Sequence, residues 1–121
     1  MTGDPELPGS GSFVFEVGLR QAWLYLTLCD NTPETSVETR LYLDTGWSLD
    51  SDRFDLDSDE LESGLVTLCR LINRTLNHSA VLADRGLLLD FGDHGRLEID
   101  GSDAAATTHD IWWLARVGNA S

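Results

Sequence analysis

The residue pattern predicts an α+β domain: a single antiparallel β-sheet of about six to seven strands with one amphipathic helix packed on one face. Three observations lead there. Leu61, Leu65, Leu68, Ile72 and Leu76 recur at helical spacing. Short β-favouring runs bounded by turn residues lie on both sides of that stretch. The order of three strands, one helix and four strands has no βαβ alternation, which argues for antiparallel pairing.

In chain order, residues 1–12 carry Pro5, Pro8 and three glycines, and are expected to form a flexible tail before a single domain over 13–118. Phe13, Phe15 and Val17 alternate as one face of a first strand. The run Trp23–Cys29 sets Leu24, Leu26 and Leu28 against Trp23, Tyr25 and Thr27, so a central strand with two β-favouring faces is expected. Val37 to Leu43 is the cleanest amphipathic strand, with Val37, Thr39, Leu41 and Leu43 inward and Glu38, Arg40 and Tyr42 outward.

An acidic connection, Asp44 to Asp57, follows, and the helix is expected to start at Asp57. That residue is placed to cap it, and Glu60 three positions on completes a variant capping box. The apolar stripe, joined by Cys69, gives about four turns, with Arg70 and Arg74 opposite. Beyond it, Ala80–Ala83 is a short strand. Leu87–Phe91 and Arg96–Asp100 flank Gly92-Asp-His-Gly95 as a hairpin, and Ile111–Val117 is the last strand. Trp112 and Trp113 are adjacent on it, so one fills the core and the other lies on the far face, which Trp23, Tyr25 and Tyr42 share. Exposed tryptophan and tyrosine with no lysine is the composition of an interface core.

The bulk numbers bound the function classes. The chain has 121 residues, 41% of them hydrophobic, which suits one core. Acidic residues number 21 against eight basic ones, all arginine, for a formal charge of −13 at pH 7. Eight carboxylates and one arginine fall between Asp44 and Glu62. A field of that sign repels nucleic acid and anionic lipid and attracts cationic partners. No apolar run reaches the ~18 residues of a membrane helix, and the acidic N-terminus lacks an apolar signal region. Cytoplasmic residence is therefore expected, with Cys29 and Cys69 as reduced core side chains.

Catalytic and metal motifs are not found. An EF-hand started at Asp55 fails at Glu60, where glycine is required, and at Val66, where a bidentate glutamate is required. His78, His94 and His109 are scattered and expected at the surface, without the short-spaced pairs of a zinc site. Neither a nucleophile elbow nor a phosphate-binding loop is present. No enzyme, metal or cofactor is expected.

Gly86, Leu87, Leu89, Phe91, Gly95, Leu97 and Trp112 or Trp113 together resemble a small actinobacterial family of unknown function. In that family a helix leads to a strand, a G-x-L-x-L-x-F-x-D-G-x-L hairpin and a tryptophan-bearing terminal strand. The resemblance implies a fold and no chemistry.

The sequence thus reads as a non-enzymatic protein-binding module, in its most concrete form an immunity or antitoxin-like protein that engages a basic partner. Asp50, Asp52, Asp55, Asp57 and Asp59 are the expected acidic contacts, with Trp47 and Trp112 as anchors. The competing expectation is a self-associating domain whose acidity reflects solubility or salt adaptation.

Overall fold

The computed structural model describes residues 7–21, 23–30, 38–55, 60–102 and 111–117. Nine strands among them form two antiparallel sheets. Strands β1 (Phe13–Arg20), β2 (Trp23–Cys29) and β3 (Glu38–Leu43) are followed by β4 (Trp47–Leu49) and β5 (Asp52–Phe54). Helix α1 (Leu61–Leu68) comes next, then β6 (His78–Val81), β7 (Leu87–Asp90), β8 (Arg96–Ile99) and β9 (Trp112–Val117). The first sheet has the order β1-β2-β3-β9 and the second β5-β4-β8-β7-β6.

This overturns the single sheet with a packed amphipathic helix: the molecule is mostly β, and its core lies between two sheets. Leu24, Leu26, Leu28, Leu41 and Leu43 face inward from the first sheet. Trp47, Leu49, Leu87, Leu89, Leu97 and Ile99 meet them from the second, and all belong to one buried cluster. The two inner faces cover one another, as in sandwiched sheets.

The helix is shorter than its apolar spacing suggests. After Leu68 a single 3₁₀ turn, Cys69–Leu71, ends it, and Ile72 is extended at φ −60° and ψ 130°. The chain from Ile72 to Leu76 then pairs with the start of β1. Asn73 N–H donates to the Val14 carbonyl at 2.8 Å, Val14 N–H to Arg74 at 3.1 Å and Leu76 N–H to Ser12 at 2.7 Å. Asn73 takes the left-handed φ of 70°, a conformation asparagine tolerates. Leu76 is fully buried, but an extended segment puts it there. Cys69, expected in the stripe, is exposed, while Cys29 is buried.

At the other end, the helix cap is Glu60, which makes no side-chain cap bond; its carboxylate accepts the Asp55 N–H at 2.8 Å. Asp57 lies outside the described residues. The expected tail is described from Leu7 onward, where Gly11 N–H donates to Leu76 at 2.9 Å and Ser79 Oγ to Pro8 at 3.2 Å.

Two corrections concern strands. The acidic connection contains a hairpin, β4–β5, pairing Trp47 with Phe54 and Leu49 with Asp52. In β1 a bulge falls at Phe15: Val14 pairs with Leu28, and Glu16 with Thr27. Phe13, Phe15 and Val17 therefore do not share a face. Val14 points into the core, and Phe15, the extra residue, is 53% exposed.

The chain crosses between sheets at Asp44–Gly46 and again before β9, and the two passages are bonded together. Asp44 N–H donates to Ile111 at 3.0 Å, Asp100 N–H to Gly46 at 2.9 Å, and Thr45 Oγ1 to the Ser102 carbonyl at 2.7 Å.

Candidate functional site: the aromatic outer face of the four-stranded sheet

Strand alternation sends every second residue of β1, β2, β3 and β9 away from the core. The registers align Gly18, Tyr25, Tyr42 and Trp113 in one row across all four strands. Trp23, at the start of β2, stands beside that row.

The rings are in contact. Tyr42 stacks on Trp113 with centroids 5.0 Å apart and planes 16° off parallel. Trp23 meets Trp113 edge-on at 5.3 Å, and Tyr25 tilts against Tyr42 at 5.6 Å. Such pairs each add about 0.5–1.5 kcal/mol beyond their burial. Tyr25 leans across β1 because Gly18 has no side chain: a Cβ there would collide with the Tyr25 hydroxyl and ring.

One charged network runs beside the row. The Arg40 guanidinium lies 4.1 Å over the Tyr25 ring and donates to Thr27 Oγ1 at 3.2 Å, Tyr42 Oη at 3.4 Å and Glu16 Oε1 at 3.3 Å. Glu16 accepts further bonds from the Tyr25 hydroxyl and Thr27, both at 3.3 Å. The bulge at Phe15 makes this network: under strict alternation Glu16 would share the buried face of Val14. Arg40 is 18% exposed and Glu16 45%, so the ion pair itself contributes at most about 1 kcal/mol.

The tyrosines diverge electrostatically. For Tyr42, burial alone would raise the phenol, but hydrogen bonds from Arg40 and Arg20 and their charges bring it below the ordinary value. For Tyr25, burial comes first and raises it; Arg40 opposes and Glu16 adds to the rise. The chain has two tyrosines. Tyrosinate absorbance of the folded protein is therefore expected to grow in two steps, on either side of the ordinary 10.0. Tyr42 strengthens folding as pH climbs through its lowered value, and Tyr25 withdraws stability as pH rises through its raised one. A single step at the ordinary value would contradict the network.

An open depression of about 350 Å³ lies at one end of the row, lined by Arg20, Gln21, Trp23, Tyr42, Trp113 and Ala115. A second, of about 300 Å³, lies by Asn73, Arg74, Asn77 and Asp93.

The residues expected to bind a partner are distributed differently. Asp50, Asp52 and Asp55 come together on the β4–β5 hairpin of the other sheet, each with a bond of its own. Asp50, at φ 55°, accepts the Arg96 N–H at 3.1 Å, and Asp52 accepts from Arg70 at 3.0 Å. Asp55, 74% exposed, accepts from Arg53 at 3.1 and 3.2 Å. Arg53 also grips Asp100, whose hydrogen bonds are the main reason its guanidinium is held above its ordinary value. Asp57 and Asp59 lie outside the described residues.

Trp47 is 3% exposed, stacked on Phe54 at 4.7 Å; it is a core residue, not a surface anchor. Trp112 faces inward, partly buried against the core, with its Nε1–H donating to the Arg85 carbonyl at 2.9 Å. Of the adjacent tryptophans, Trp113 takes the outer face. Arg20, Arg40, Glu16 and Gly18 were not singled out by sequence. Outward alternation with Tyr42 was a usable signal for Arg40, whereas the bulge hid Glu16. His78 and His94 are exposed. His109 lies outside the described residues, and no group of metal-ligating side chains occurs among those described.

The chain matches no protein-family model, no curated protein and no solved structure. The hairpin motif that carries the family resemblance is a packing motif in this fold: Leu87, Leu89, Phe91 and Leu97 are all buried in the core.

Proposed function

We propose that this chain is a non-enzymatic protein-binding module for a basic protein, with the outer face of the β1-β2-β3-β9 sheet as its contact surface. One observation carries the reading: a continuous aromatic row, Tyr25–Tyr42–Trp113 with Trp23 beside it, on the sheet face turned away from the core. Tryptophan, tyrosine and arginine are the residues that dominate binding energy at interfaces, and all three meet on this face.

The charge of −13 acts at longer range. It steers a cationic partner and speeds encounter, while the aromatics set the rate of release. Asp50, Asp52 and Asp55 contribute to that field, their local pairs notwithstanding. An immunity protein capping the cationic site of a toxin is the most specific form of this reading. A second reading, self-association through the same face, is favoured by the way Arg53 and Arg70 already pair with hairpin acids.

Association with a basic protein should weaken steeply as salt rises, chiefly through slower encounter. Surface-immobilised chain should capture a basic protein at low salt and release it at high salt. Gel filtration separates the readings: a dimer that persists at high salt, with no basic protein captured, would replace the first reading with the second.

A further inference from the structure

We propose that the depression at the β1–β2 turn is a binding site for a small planar anion, a one- or two-ring aryl carboxylate or similar oxyanion. This goes beyond the protein-docking reading and does not depend on it.

Size comes first. About 350 Å³ is at the lower end of small-molecule sites, which run from roughly 300 to 1,000 Å³. Its walls include the half-buried Trp23 and Trp113, whose indoles offer apolar surface to a flat ligand, with the buried Tyr42 beneath them.

The polar groups converge at one end. Arg20 ends β1 and is exposed in the lining of the depression. Gln21 follows it at φ 55°, a left-handed conformation that such a turn ordinarily gives to asparagine, aspartate or glycine. A longer amide at that position adds a donor and an acceptor to the wall. Arginine's planar fork matches a carboxylate or phosphate bidentately.

Charge sign decides between an anion and a cation. Arg20 in the lining repels a cation and attracts an anion. Among the described residues the outer face carries Arg20 and Arg40 against Glu16 and Glu38; Arg40 pairs with Glu16, and Arg20 stands apart from that pair at the end of β1.

Quenching of tryptophan fluorescence by 2-naphthoate, with 2-naphthalenemethanol and benzyltrimethylammonium as comparisons, tests this. Saturable binding of naphthoate is expected, at least about tenfold tighter than the neutral alcohol. Arg20→Gln should weaken naphthoate about tenfold or more while leaving the alcohol unchanged. Trp113→Ala should weaken both. Arg20 is a surface residue, so its variant reports on the site independently of Trp113→Ala. Equal binding of naphthoate and alcohol, tighter binding of the cation, or indifference to Arg20→Gln would each overturn the site. A basic partner still captured on this face would leave the docking reading standing.

Discussion

Trp113→Ala is expected to weaken binding of the basic partner by at least 2 kcal/mol, roughly thirtyfold, and to leave the fold intact. Trp113 is held by two other rings of the row: it stacks on Tyr42 and receives Trp23 edge-on. Its removal therefore loosens two neighbours as well as deleting its own area. Nothing of the core depends on it, since it stands on the face opposite Leu41 and Leu43. Surface plasmon resonance on the captured partner checks the affinity, and near-ultraviolet circular dichroism checks the fold. Asp52→Asn on the hairpin should behave differently: it removes one charge from the field, lowering the association rate modestly and leaving dissociation unchanged. A Trp113→Ala protein that binds as tightly as the parent would remove the aromatic row from the interface.

Trp47→Ala is expected to destabilise the protein by about 3–5 kcal/mol, the range for emptying a large aromatic site in a core. Against total stabilities of about 5–15 kcal/mol that is a large fraction. The indole is bounded on several sides. Phe54 stacks on it, and Gly64 of α1 lies so close that a Cβ there would sit 3.0 Å from the indole. Neighbours from two strands and one helix cannot all close inward, so a cavity remains. Thermal unfolding should fall by roughly 10–25 °C. Partner affinity, measured well below that transition, should be unchanged. A Trp47→Ala protein with parental stability and lost binding would make Trp47 the interface anchor and leave the core without its central indole.

The sequence was most legible where one periodicity held without interruption. The split of Trp23–Cys29 into leucine and aromatic faces is realised in the structure, as is the outward placement of Arg40 and Tyr42. The rule that Trp112 and Trp113 must point apart held too, though alternation alone does not say which goes inward. That depends on register: Trp112 pairs with Leu43 and Trp113 with Tyr42.

Misreadings came where two signals overlapped. Leu68, Ile72 and Leu76 fit a helical stripe, but Asn73 breaks it and the same leucine is buried from an extended chain. Trp47-Ser-Leu49 and Asp52-Arg-Phe54 are short period-two strands, obscured by the carboxylates around them. One extra residue at Phe15 was enough to move Glu16 to the other face. The second sheet follows from these errors. With the β4–β5 hairpin hidden, nothing signalled that the later strands close over the first sheet's inner face in place of a long helix.

The footprint of the basic partner on the folded chain, read by amide hydrogen exchange of the complex, bears most directly on the choice of docking face. Slowed exchange confined to β2, β3 and β9 around Trp23, Tyr42 and Trp113 is the predicted result. Slowed exchange confined to the Asp50–Asp55 hairpin, with those three strands unaffected, would contradict it.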